Sequence, residues 1–182
     1  MKKAYLFFAT GFEEVEALTV VDILRRGGVD CKTVSIMGDY DVTSSHAITI
    51  RADLLFDEQD LTDADMLIMP GGIPGTPNLK AHAGLEKLIH QYVEAGKYLA
   101  AVCAAPTIYG EMGLLEGKQA TCYPGMEDGL LGAKALTDNV VCDGQFITSR
   151  GMGTCIDFSL VLLEMLTDKA TADEISKKIV YR

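Results

Sequence analysis

Three short, predominantly apolar runs constrain this chain more than any other feature. Residues 3–8 read KAYLFF, residues 66–70 read MLIMP and residues 99–103 read LAAVC. Each reads as a buried strand, and each runs straight into small or turn-forming residues: Thr10-Gly11, Gly71-Gly72 and Ala104-Ala105-Pro106. Helical spacing fills the intervals. Val15, Leu18, Val21 and Leu24 predict one apolar stripe on a helix that ends in Arg25-Arg26-Gly27-Gly28, cations in the last turn and then a glycine stop. Leu85, Leu88, Ile89 and Tyr92 predict the apolar face of a helix over 84–95.

Further strands are expected at 31–36 and near 120–123, with weaker strand signals around 47–50 inside a polar excursion over 40–56. NVVCDGQFITS predicts a hairpin turning at Asp143-Gly144. Helical residues are expected from 104 onward, then over 154–166 and 172–180. Strands alternating with helices give an α/β fold, a mostly parallel sheet with helices on both faces. In such sheets ligands sit beyond the carboxyl ends of the strands. ATGFEEVE, PGGIPGTP and CAAP all fall there.

A chain of 182 residues suits one sizeable core rather than two domains, so residues 1–182 are read as a single domain. A net charge of -10 argues against nucleic acid and anionic membranes as partners, since both require clustered Lys and Arg. Lys2 and Lys3 ahead of an apolar run resemble a signal peptide, but Glu13, Glu14 and Glu16 arrive where an apolar segment should continue. No stretch approaches the roughly 18 apolar residues of a membrane span. Cys31, Cys103, Cys122, Cys142 and Cys155 are odd in number and form no C-x-x-C pair. They fit reduced thiols in a cytoplasmic protein rather than a disulfide framework or a zinc site.

Cys103 is the leading candidate for chemistry. A thiol between a buried strand and a helix opening with Pro106 is expected to face the positive end of the helix dipole, which lowers its pKa. Its mechanics match a nucleophile elbow with cysteine in place of serine. A buried cysteine acting as a small apolar residue explains the local pattern equally well. Gly71 and Gly72 let backbone amides approach a ligand, as an oxyanion site or as a plain turn. Of Glu13, Glu14 and Glu16, one pointing at Cys103 would be desolvated, hold its proton and donate to sulfur, although first-turn carboxylates commonly serve the dipole alone. Pattern does not select among them. His82 and His90 read as solvated surface histidines, and nothing requires His46 to reach the crevice.

AAVCAAP at 100–106, GFEEVE at 11–16, PGG at 70–72 and TSRGMGT at 148–154 together resemble the ThiJ/PfpI superfamily, closest to its Parkinson-disease-protein (DJ-one) branch. The four motifs match in order over essentially the whole chain. The resemblance implies a flavodoxin-like three-layer sandwich, akin to class I glutamine amidotransferases. It makes Cys103 the reactive, easily oxidised cysteine and selects Glu16 as its carboxyl partner. Gly72 and Ala104 then supply oxyanion amides, Arg150 lines the pocket mouth, and a homodimer is expected.

Two departures narrow what the resemblance implies. PfpI-type proteases carry a histidine directly after the cysteine, where this chain has Ala104, which weighs against proteolysis or amide hydrolysis. Animal members credited with glyoxalase activity carry a histidine where this chain has Tyr123, a poorer proton shuttle at neutral pH. The implied function is cysteine chemistry on reactive carbonyls, of glyoxalase or deglycase type, as a lyase or hydrolase without cofactor or metal. The alternative is a redox sensor or stress chaperone with protein clients, acting through Cys103 oxidation.

Overall fold

The computed structural model describes residues 1–181. Strand β1 (Lys3–Phe8) leads through a tight turn into helix α1 (Glu14–Arg26) and back to β2 (Asp30–Ser35). A small excursion follows, with β3 (Asp41–Thr43), β4 (Thr49–Arg51) and β5 (Leu54–Leu55). Next come β6 (Met66–Met69), α2 (Gly75–Lys80), α3 (Ala83–Glu94), β7 (Tyr98–Val102) and α4 (Pro106–Glu111). The chain ends with β8 (Gln119–Ala120), β9 (Lys134–Ala135), β10 (Val140–Asp143), β11 (Phe146–Ser149), α5 (Cys155–Leu166) and α6 (Lys169–Lys178).

Seven strands form one sheet in the order β10-β11-β7-β6-β1-β2-β5, parallel throughout except for the β10–β11 hairpin. Strand alternation divides the core into two layers. Leu6 and Phe8 face one side with Phe158 and Leu162 of α5 and Leu24 of α1, while Tyr5 and Phe7 face the other with Leu88, Ile89 and Tyr92 of α3. The expected three-layer α/β sandwich is therefore the observed architecture. Among the described residues, no helix is long and apolar enough to cross a membrane.

The order β7-β6-β1 places the carboxyl ends of the three diagnostic runs side by side. Backbone hydrogen bonds then stitch the loops together: Glu13 N–H to the Gly71 carbonyl at 2.9 Å, and Gly75 N–H to the Gly11 carbonyl at 3.1 Å. The crevice forecast at these strand ends is thus a bonded unit.

Several local expectations are corrected. Helix α1 buries Glu14, Glu16, Ala17, Val20, Val21, Ile23 and Leu24, whereas Val15 and Leu18 remain 43% and 41% exposed. The predicted stripe is rotated, because Glu14 and Glu16 turn inward to His46 and to the Gly71 amide. The strand near 120–123 shrinks to β8, which pairs with β9 outside the main sheet. Beyond it the backbone turns away, and the Tyr123 N–H bonds to the Cys103 carbonyl. Helix α4 starts at Pro106 rather than 104. Helix α6 starts at Lys169 rather than 172, where the Asp168 side chain accepts from the Thr171 N–H at 2.8 Å. Helix α2, Gly75–Lys80, is an element the sequence pattern did not indicate.

Candidate active site

Cys103 follows the last residue of β7 with φ +63°, a left-handed conformation that costs a non-glycine residue about 1–3 kcal/mol. Two bonds hold it there: its N–H donates to the Ser149 carbonyl at 3.0 Å, and its carbonyl accepts from Tyr123 N–H at 2.8 Å. The strain turns the side chain out of the strand direction into the crevice, where it is half-buried.

Glu16 lies one turn into α1 and is 1% exposed. The Glu13 side chain caps that helix by accepting from the Glu16 N–H at 2.6 Å, so Glu13 serves the backbone. Glu16 Oε2 accepts the Gly71 N–H at 2.8 Å, and the same carboxyl hydrogen-bonds the Cys103 side chain. Glutamate 14 points elsewhere, its Oε1 lying 2.9 Å from His46 Nδ1. Of the three carboxyls, Glu16 is the one beside the thiol.

Gly71 has no room for a side chain. A Cβ there would lie 2.6 Å from Cys103 Cβ, 2.7 Å from Glu16 Oε2 and 3.1 Å from the sulfur. Because its N–H is taken by Glu16, Gly71 positions the carboxyl and is not free to hold an oxyanion, a correction to the expectation for that residue. Gly72, at φ +96°, needs the conformational freedom of glycine, and a Cβ would run into the Glu13 amide and Gly11 carbonyl. The backbone amides of Gly72 and Ala104 face the Cys103 sulfur.

Burial pushes the Glu16 carboxyl up from 4.5 to about 7, against hydrogen bonds from Cys103 and Gly71 that pull it down. The Cys103 thiol is also pushed up, to about 12, first by burial and then by the Glu16 carboxylate. The expected lowering of the thiol pKa is therefore reversed in the state where Glu16 is charged. Helix α4 starts three residues later and is only six residues long, so its dipole is a weak counterweight. The two amides favour the thiolate but do not outweigh a buried carboxylate beside it. Thiol and carboxyl behave as one coupled pair that shares a proton. Protonation of Glu16 removes the carboxylate's share of that rise and leaves the share due to burial.

Tyr123 is 51% exposed, and its ring forms an outer wall over Gly151. Arg150 is turned toward the loop before β10, with Nη1 donating to the Thr137 carbonyl at 3.2 Å and its buried Nε lacking a partner. No bond from Arg150 to the Cys103 group is formed among the described residues. Two neighbours escaped sequence reasoning. Cys155, the first residue of α5, is buried with Sγ 3.3 Å from the Gly151 carbonyl, and burial followed by the Glu16 charge pushes its thiol up. Gly151 lies between Tyr123 and Glu16, and its one sequence signal was its place in the TSRGMGT motif at 148–154. His82 is not merely a solvated histidine, because its Nδ1 caps α3 by accepting from Leu85 N–H at 3.0 Å. Donor atoms of Glu13, Glu14 and His46 lie within 4.8 Å of one another, but helix capping and the Glu14–His46 pair already engage them.

The sequence profile of the DJ-1/PfpI family matches residues 2–165. Protein DJ-1 homolog B of Arabidopsis thaliana is 41% identical over 185 residues, covering 100% of this chain. The chain spans only 42% of that protein's length. The crystal structure of a DJ-1 superfamily protein from Salmonella typhimurium superposes with a TM-score of 0.96 at 32% identity, covering 100% of both chains. A Caenorhabditis elegans protein named glutathione-independent glyoxalase DJR-1.2 is 29% identical over 169 residues, covering 92% of this chain and 89% of its own.

Because the folded-state pKa of Glu16 lies above its unfolded value, the associated stability is complete below about 4.5 and is lost as pH rises through about 7. Glu16→Gln removes a buried group that must ionise. Its melting temperature, relative to the unsubstituted protein, is expected to be higher at pH 8 than at pH 5. An equal offset at both pH values would show that Glu16 titrates like an exposed carboxyl.

Proposed function

The chain belongs to the DJ-1/PfpI family, and on that footing we propose that it converts small reactive 2-oxoaldehydes to 2-hydroxy acids through Cys103 and Glu16. The observation that carries this reading is the bonded Cys103–Glu16 pair, set beside two amides aimed at the sulfur. A carboxyl poised at about 7 both accepts and returns protons near neutral pH. The nematode relative named as a glyoxalase supports the same class.

In the first step Glu16 carboxylate takes the Cys103 proton as sulfur attacks the aldehyde carbon. A C–S bond forms, the C=O π pair moves onto oxygen, and the Gly72 and Ala104 amides stabilise that oxyanion. Protonation by Glu16 gives a hemithioacetal. Glu16 then removes the hydrogen from the former aldehyde carbon as the adjacent carbonyl oxygen gains a proton, and the resulting enediol is protonated at that adjacent carbon as the first oxygen loses its proton, leaving a thioester of the 2-hydroxy acid. Water attacks the thioester, the C–S bond breaks, and the acid and thiol are released. One water is consumed and the redox change is internal, so the scheme needs no oxidant, reductant, metal or organic cofactor. Tyr123 stands where a phenol can hydrogen-bond the substrate oxygen without shuttling protons as imidazole does. The same chemistry extends to hydrolysis of carbonyl adducts on amines or thiols, including those on protein clients.

A second reading, a redox sensor, rests on the same pair. Peroxide would convert the thiolate to a sulfenate and then a sulfinate, releasing one water at each step, with Glu16 donating to the new oxygens. Amide hydrolysis is the weakest reading, since His46 pairs with Glu14 and His82 caps α3, leaving neither beside Cys103. Five free cysteines fit a reducing, cytoplasmic setting.

We further read the chain as a homodimer, because Val15 and Leu18 present apolar side chains to solvent on the helix that carries Glu16. Leu18→Glu is expected to shift sedimentation from dimer to monomer; sedimentation of the unsubstituted chain as a monomer would overturn this.

Incubation with methylglyoxal is expected to yield lactate, with Cys103→Ser reducing the rate to background. Persistent turnover in that variant would contradict the mechanism. Absence of turnover, together with selective addition of two oxygens at Cys103 under dilute peroxide, would favour the sensor instead.

A further inference from the structure

The two oxygens of Glu16 face different surroundings. Oε2 is fixed by the Gly71 N–H at 2.8 Å, whereas Oε1 looks toward Gly151. A Cβ built on Gly151 would lie 3.9 Å from Glu16 Oε1, 3.5 Å from Tyr123 Cδ2 and 3.9 Å from Tyr123 Cε2. These are ordinary van der Waals distances, in contrast to the 2.6 Å and 2.7 Å approaches that forbid a side chain at Gly71. The backbone at Gly151 is extended, with φ 160° and ψ -166°, which other residues adopt. Neither packing nor backbone conformation demands glycine there. The missing side chain leaves a methyl-sized space between Glu16 Oε1 and an aromatic wall.

That space has firm edges. The Gly151 N–H bonds to Thr154 Oγ1 at 3.1 Å, and its carbonyl accepts from Thr154 N–H at 3.0 Å and from Cys155 Sγ at 3.3 Å. The residue is buried and anchored to the start of α5, so the space cannot widen without moving that helix. Its inner wall is the carboxyl bonded to the Cys103 thiol. The space therefore adjoins the carboxyl with which a molecule attached at sulfur would exchange protons.

We propose that Gly151 is the size-determining residue of the site, its absent side chain leaving room between Tyr123 and Glu16 for one methyl-sized substituent on the second carbon of a 2-oxoaldehyde. Longer or branched substituents meet the Tyr123 ring and are disfavoured. The inference rests on the carbonyl reading given above and adds to it the residue that limits the substituent to one carbon.

The test compares kcat/KM for glyoxal and methylglyoxal in the unsubstituted protein, Gly151→Ala, and Gly151→Ala combined with Tyr123→Ala. One misfitting methyl group in a pocket changes selectivity by about tenfold or more, so Gly151→Ala should lower the methylglyoxal-to-glyoxal ratio by about that factor. Removing the Tyr123 ring should restore the ratio in the double variant. An unchanged ratio in Gly151→Ala, or no recovery in the double variant, would overturn the proposal. If the unsubstituted protein turns over neither aldehyde, the carbonyl reading fails, and the space is tested by alkylation of Cys103 alone. There Gly151→Ala should slow N-phenyl iodoacetamide more than iodoacetamide, and equal slowing would sink the size filter.

Discussion

A carboxyl group buried to 1% exposure is the constraint around which this crevice is organised. Removing an ionisable group from water is costly unless its hydrogen-bonding capacity is met inside. Glu16 meets it with the Gly71 amide on one side and the Cys103 thiol on the other. Those partners belong to different strand ends, so one side chain of α1 ties the turn after β6 to the elbow after β7. The return bond from Glu13 N–H to the Gly71 carbonyl makes the tie reciprocal. Gly71 can occupy this junction because it has no Cβ, which would strike both the thiol residue and the carboxylate.

The chemistry follows from the same burial. A carboxyl raised to about 7 beside a thiol raised to about 12 gives a pair in which the position of one proton decides reactivity. Proton transfer between them is short, and the Gly72 and Ala104 amides favour negative charge on sulfur or on an oxygen bound near it. The left-handed backbone at Cys103 is the conformational cost of presenting the thiol to this environment, sustained by its bonds to Ser149 and Tyr123. Tyr123 therefore serves twice, its N–H bracing the elbow and its ring walling the outer side.

Much of this was legible in the sequence because parallel strands buried on both faces read as continuous apolar runs. KAYLFF, MLIMP and LAAVC identified three adjacent central strands, and Asp143-Gly144 marked the one antiparallel hairpin. Their carboxyl ends, and hence Cys103 and the PGG turn, followed from topology. Harder to see was the orientation of α1. Hydrophobic spacing favoured Val15 and Leu18, yet Glu14 and Glu16 are the buried residues, since tertiary hydrogen bonds repay what apolarity cannot. The four-motif resemblance selected Glu16 where spacing alone could not. Burial of the Cys103 thiol was likewise invisible locally, and a dipole argument without it gave the wrong direction for the pKa. Gly151 carried no signal beyond its place in TSRGMGT, because its significance depends on Tyr123 and Glu16, both distant in sequence.

The account depends most directly on the shared proton between Cys103 and Glu16. The decisive measurement is the iodoacetamide alkylation rate of Cys103 from pH 5 to pH 10, in the unsubstituted protein and in Glu16→Gln. Glutamine keeps a hydrogen-bond donor and removes the charge, so the thiol pKa should fall and alkylation at pH 8 should quicken. Superimposable profiles in the two proteins would contradict the coupling.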